Sequence, residues 1–244
     1  MPTPARAVLA LLPLLHGAAA IRSPRARAAT PRAAAPRMRL PALCVLDLDM
    51  CVWSPEMYEL REMPGKAVRG ELNGRGAGVV GVMSGAAQIT LHRGALVALQ
   101  EVHDGLYPGM RLAVASSADT PLAEQIGRAA MRVLEALPGV SVYDVLTRGW
   151  DWADGEALNL QIGRQPPLSS DKSRTHFPTL RAVTGVPYDQ MLFFDDSLWS
   201  DHCAMVERNC PGVVTQRTPR GMTELEWRRG LQKFAECAAA SKES

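Results

Sequence analysis

The chain has 244 residues, 47% of them hydrophobic, which is enough for one substantial core. Its formal charge of +2 conceals two unlike parts: the first 46 residues hold seven Arg and no Asp or Glu, and the remainder holds 20 basic and 25 acidic residues. A mildly acidic body argues against a nucleic-acid surface, which needs Lys and Arg gathered on the folded part. Five scattered cysteines without a C-x-x-C pair (Cys44, Cys51, Cys203, Cys210, Cys237) argue against a disulfide-built extracellular domain.

The first 40 residues have the make-up of a processing leader. Arg6 precedes the apolar run Ala7 to Leu15, and Ala18 to Ala20 then offer a cleavage site, as in a secretory signal peptide. That run is too short to span a bilayer, which takes about 20 residues, so no stable membrane insertion is expected. Residues 21 to 40 are rich in Arg and Ala with Ser, Thr and Pro and no acid, the composition of a transit peptide. Signal followed by transit matches the two-part leader of import into a plastid bounded by extra membranes. The alternative is a basic tail on a secreted or cytoplasmic protein.

The body, expected over residues 41–244, opens with the apolar run Ala42 to Leu46, which reads as a strand buried on both faces. Similar strands are expected at Leu112 to Ala115, Met191 to Phe194 and Gly212 to Thr215, with Val140 to Leu146 as a candidate fifth. Thr120 as N-cap with Pro121 behind it starts a helix whose apolar stripe runs from Leu122 to Leu137, with Gly139 as its stop. An amphipathic helix from Thr223 closes the chain, with Glu224 and Glu226 in its first turn. Ala95 to Val102 and Phe177 to Val183 are weaker helical patterns, and a further helix is expected to start near Leu198. Strands alternating with helices imply an α/β fold: a parallel sheet with helices on both faces and functional residues at the strands' carboxyl ends. Residues 55–92 break the rhythm with seven Gly and the alternating Gln88 to Leu91, as a small β-rich insert after the first strand would. Residues 148–171 read as a long loop.

At the end of the first strand stands Asp47-Leu48-Asp49. Residues i and i+2 of an extended chain point the same way, so both carboxylates face one site while Leu48 returns to the core. Such a pair can divide labour, one carboxylate attacking phosphorus and the other protonating the leaving oxygen and later activating water. Attack by an anion on an anionic phosphate needs positive charge, hence a metal site and a basic partner. Asp195-Asp196 offer a second acidic pair at a second strand end, of the carboxylate kind that suits Mg²⁺. Lys172 can neutralise the opposed carboxylates. Ser116, with Ser117 beside it, ends a third strand, where a hydroxyl and backbone N–H groups can hold a phosphate oxygen.

The constellation resembles the haloacid dehalogenase superfamily of phosphatases, and within it the magnesium-dependent phosphatase family. The resemblance rests on Leu46 to Trp53, Ala115 to Ser117, Lys172 with Thr175 to Phe177, Thr184 to Pro187, and Met191 to Asp196. It implies a Rossmann-like sheet, Mg²⁺ as cofactor and hydrolysis of phosphate monoesters through an aspartyl-phosphate, on small phosphorylated metabolites or phosphotyrosine-like groups. By the same resemblance Asp47 is nucleophile and metal ligand, and Asp49 is acid/base with its backbone carbonyl on the metal. Ser116 binds phosphate, Lys172 steadies the intermediate, and Asp195 with Asp196 completes the Mg²⁺ shell. Cys51 stands where the family usually has Thr, and Ser117 where Arg is common. The stretch from Lys172 to His176 is one residue longer than usual, which makes Arg174 the other candidate cation. A pseudophosphatase that binds phosphorylated partners without turnover, and a receiver-like phosphoacceptor module, are the alternative readings of these residues. Trp53 is expected to anchor packing, and His202 to lie on a helix surface.

Overall fold

A computed structural model describes residues 38–152 and 155–240. The leader expected over residues 1–40 therefore lies, up to residue 37, outside the described residues. The body begins with β1 (Leu43–Leu46), β2 (Trp53–Ser54), β3 (Ala67–Glu71), β4 (Ala77–Ser84) and β5 (Ala87–Leu91). It continues through α1 (Arg93–His103), β6 (Arg111–Ser116), α2 (Pro121–Val133), β7 (Glu135–Leu137), β8 (Val140–Ser141), α3 (Val142–Thr147) and β9 (Leu160–Ile162). The last elements are α4 (His176–Thr184), β10 (Met191–Asp195), α5 (His202–Asn209), β11 (Val214–Arg217) and α6 (Glu224–Ala240).

Five of these strands form a parallel sheet in the order β11-β10-β1-β6-β9. Leu43, Cys44, Val45 and Leu46 pair with Met191 to Phe194 on one side and with Arg111 to Val114 on the other. Side chains alternate between the two faces, and the core divides accordingly. Cys44, Leu46, Leu112, Val114, Leu192 and Phe194 join one apolar cluster with Ile126, Val145, Trp227 and Phe234, from α2, α3 and α6. Leu43, Val45, Ala113, Met191 and Phe193 join the other with Phe177, Leu180 and Val206, from α4 and α5. This is the α/β Rossmann-like arrangement that buries a parallel sheet on both faces.

The insert is a separate antiparallel sheet in the order β2-β5-β4-β3. Its far side is tied to the body by polar contacts. Buried Gln100 of α1 donates to the carbonyls of Leu72 (3.0 Å) and Ala136 (2.9 Å), and Glu135 accepts from the Val79 N–H at 3.0 Å.

Several boundaries differ from the sequence expectation. The strand expected over Val140 to Leu146 is two residues of β8 followed by α3, because Ser141 and Asp144 form a reciprocal capping box that nucleates a helix. Val142, Val145 and Leu146 then share its buried face. The Thr120-capped helix ends at Val133 rather than Leu137, since Leu134 turns extended and Glu135–Leu137 pair with β8. The helix expected near Leu198 starts at His202, capped by the Asp201 side chain on the Ala204 N–H. The last strand is Val214–Arg217, two residues later than expected. The stretch 148–171 is not one loop, because it contains β9, which closes the sheet beside β6.

Gly94, near the start of α1, is where two backbones meet: its N–H donates to Met222 O at 2.9 Å. A Cβ there would lie 2.2 Å from the Thr223 carbonyl carbon and 2.5 Å from Met222 O. Ala is the better helix former, yet Gly94→Ala is expected to lower stability by about 1–3 kcal/mol, as overpacking does. Chemical denaturation checks this, and a stabilised variant would contradict the close approach.

Candidate active site

The carboxyl ends of β1, β6 and β10 lie side by side, and their polar residues converge on one cavity of about 430 Å³. Its walls include Asp47, Asp49, Ser116, Ser117, Lys172 and Asp196. Asp195, fully buried, lies directly behind, so all seven residues singled out from the sequence fall at one place.

The floor is an ion triad. Lys172, 2% exposed, sets its ammonium 2.6 Å from Asp47 Oδ1 and 2.7 Å from Asp195 Oδ2. Burial alone would lower the Lys172 pKa, but the Asp195 and Asp47 carboxylates outweigh it and raise it, so the group is a fixed cation. Asp47 is pushed well up by burial, with Asp195 and Asp196 adding to the shift against Lys172. Arg174, the other candidate cation, points outward with its side chain 79% exposed and pairs with Asp171.

Two hydrogen bonds spend Asp195 Oδ1 on the Ser197 N–H (2.7 Å) and hydroxyl (3.1 Å), which folds the chain sharply after β10. Asp196 Oδ2 accepts from the Leu198 N–H at 3.2 Å. Asp47 Oδ2, by contrast, accepts a hydrogen bond from no described residue and is left to the cavity. Asp47, Asp195 and Asp196 bring carboxylate oxygens within 4.8 Å of one another. One ammonium against three carboxylates leaves this floor negative, and an all-oxygen donor set of that charge fits a hard divalent cation such as Mg²⁺.

Asp49 is held separately. Trp53 Nε1 donates to its Oδ1 at 2.8 Å and the Met57 N–H to its Oδ2 at 3.0 Å. Burial raises its pKa to about 7 against the pull of these two bonds, so both protonation states are accessible near neutrality. Trp53 is fully buried and so anchors packing as expected, but it also orients this carboxylate. Cys51 is fully buried as well, and the turn after Asp49 is braced by its backbone carbonyl, which accepts from the Met222 N–H at 2.9 Å.

Ser116 ends β6 with its carbonyl held by the Gly163 N–H (2.9 Å) and by His176 Nε2 (3.1 Å). Burial and the Lys172 charge lower the His176 pKa to about 4, so this ring is a neutral brace.

Other lining residues carried no signal in the sequence. Glu56 and Tyr58 enter from the start of the insert, Arg164 from the segment after β9, and Leu198 and Trp199 from the turn after β10. Trp199 Nε1 donates to Glu56 at 2.9 Å, and its ring meets Tyr58 edge-on at 6.4 Å. His202, expected on a helix surface, lines the cavity from the first turn of α5, with its pKa lowered by burial.

Removing the cation from this floor strands buried carboxylates. With a chelator present, Lys172→Met is expected to lower stability by about 3–5 kcal/mol at neutral pH. Lys172 pulls the Asp47 pKa down against the rise from burial, so without it that pKa rises further and the folded variant holds a proton that the unfolded chain has lost. The deficit therefore shrinks as pH falls toward the ordinary carboxylate range. Denaturant unfolding across that range checks this, and a pH-independent deficit would contradict it.

Among solved structures, the chain resembles the N-terminal part of the protein BF1531 from Bacteroides fragilis, described as containing a phosphatase domain complexed with Mg. The likeness has a TM-score of 0.40 at 16% identity and covers 80% of this chain. The chain spans 41% of the length of that one. No curated protein matches it. The model of the family described as Acid Phosphatase matches residues 39–237, a span that begins just before β1 and ends within α6. With the carboxylates, Lys172 and Ser116 of that span around a single cavity, the chain belongs to the acid phosphatase family.

Proposed function

We propose that the chain hydrolyses phosphate monoesters in a Mg²⁺-dependent reaction through an aspartyl-phosphate on Asp47. The observation that carries this reading is Lys172 clamped between Asp47 and Asp195, with one Asp47 oxygen left to the cavity. Asp47, Asp195 and Asp196 would hold the metal, which supplies positive charge to draw in and polarise the phosphate oxygens.

In the first step Asp47 Oδ2 attacks phosphorus, the bond to the leaving oxygen breaks, and Asp49 gives that oxygen its proton. In the second step Asp49 takes a proton from water, whose oxygen attacks phosphorus and displaces the Asp47 carboxylate. The products are the alcohol and inorganic phosphate, and both carboxyls return to their starting states. A pKa of about 7 suits Asp49 to both transfers. Lys172 offsets the charge of Asp47 and Asp195 throughout, and Ser116 and Ser117 present hydroxyl and N–H donors to phosphate at the end of β6. A cavity of about 430 Å³ suits a small phosphorylated metabolite or a phosphotyrosine-like side chain.

The composition of residues 1–40 supports import into a plastid as the protein's location. A fluorescent fusion of residues 1–46 that stays in the cytosol would refute this.

Residues 38–244 are expected to release phosphate from an activated aryl phosphate with Mg²⁺ and to stop in a chelator. Asp47→Asn is expected to lower kcat by more than about 10³-fold, because the nucleophile is gone. Release without metal, or full activity in that variant, would sink the mechanism. A protein that binds phosphate esters with no turnover in any metal would instead be a pseudophosphatase.

Asp49→Asn is expected to cost about 10²–10⁴-fold on alkyl phosphates, whose leaving oxygen needs a proton, and far less on nitrophenyl phosphate. Equal losses on both would take the acid role from Asp49.

A further inference from the structure

The cavity described above is charged unevenly from floor to rim. Five carboxylates line it, from Asp47, Asp49, Glu56, Asp119 and Asp196, and two permanent cations, Lys172 and Arg164. Lys172 is 2% exposed and is consumed by Asp47 and Asp195. Arg164 is different: its side chain is 41% exposed, and its Nε donates to the carbonyl of Ser117 at 2.9 Å. A terminal nitrogen of the same guanidinium pairs with Asp119, itself 37% exposed.

These contacts fix where the guanidinium stands. Ser117 follows Ser116 by one residue, and Gly163, which bonds the Ser116 carbonyl, precedes Arg164 by one. Arg164 is thus one step outward from the buried Ser116, while Asp47 and Lys172 stay at the floor with exposures of 5% and 2%. Nε and one terminal nitrogen are engaged, and the other terminal nitrogen bonds no described residue. A planar fork anchored along one edge is arranged to receive a second anion with the donors that remain.

We propose that Arg164 is a specificity-determining residue whose guanidinium receives an anionic group, a carboxylate or a second phosphate, carried on the leaving-group side of the substrate. The inference rests on the reading that the reacting phosphoryl group goes to Asp47 at the floor. A group at the floor lies beyond the rim guanidinium, and a group on the leaving portion passes beside it. Asp119 holds the guanidinium in place and partly offsets its charge, so an incoming anion competes with Asp119 for it.

The test compares meta- and para-carboxyphenyl phosphate with their carbamoyl counterparts, which match them in shape and lack the charge. In the wild type the better carboxylate ester is expected to exceed its carbamoyl partner by about fivefold in kcat/KM, mostly through KM, as a partly exposed ion pair allows. Arg164→Gln brings that ratio to about one and Arg164→Lys keeps part of it. Asp119→Asn raises the ratio, because the guanidinium loses its internal competitor. A wild-type ratio at or below unity for both isomers, or a ratio unmoved by Arg164→Gln, overturns the proposal. Turnover of the carbamoyl esters and its loss in Asp47→Asn report the floor, and the ratio reports the rim, so the two readings fail separately.

Discussion

The contact on which the site depends is the Lys172 ammonium between Asp47 and Asp195. Three carboxylates packed within 4.8 Å at a buried floor repel one another, and in the protein alone a single buried cation holds two of them in place. Each partner arrives from a different part of the fold. Asp47 follows β1, Asp195 ends the neighbouring β10, and Lys172 lies just before α4, which packs on one face of the sheet. The floor therefore exists only when the parallel register of β1 on β10 is correct and α4 is docked.

The parts that were legible in the sequence are those where local chemistry and burial agree. The runs around β1, β6 and β10 are apolar because both sheet faces are covered, and their polar ends announced the site. Thr120 with Pro121, and Thr223 with Glu226, mark helix starts that the structure keeps. Val140 to Leu146 misled because β-branched residues favour strands, whereas one capping box decided the segment. The strand β9 was missed for a different reason. β9 has only three residues, too few for any period, and its pairing with β6 is a tertiary fact.

The walls of the cavity were illegible for that same reason. Arg164 follows β9 directly, so without the strand nothing aimed it at Ser117. Glu56, Tyr58 and Trp199 come from segments far apart in sequence and meet only because the turn after β10 reaches the start of the insert. Substituting Ser at position 117 for the family's common Arg reads, in sequence, as a lost charge. In space Arg164 bonds the carbonyl of that same residue, so a guanidinium stands beside it after all.

The clamp on Asp49 divides the insert into two parts with different freedoms. Trp53, which opens β2, and the Met57 N–H fix the first few insert residues to the carboxylate they orient. β5 pairs with β2 at Trp53, whereas β3 and β4 line none of the cavity and are tied to the body by Gln100 and Glu135. Changes at the tip between β3 and β4 therefore leave the chemistry untouched. The five residues from Trp53 to Met57 have no such latitude.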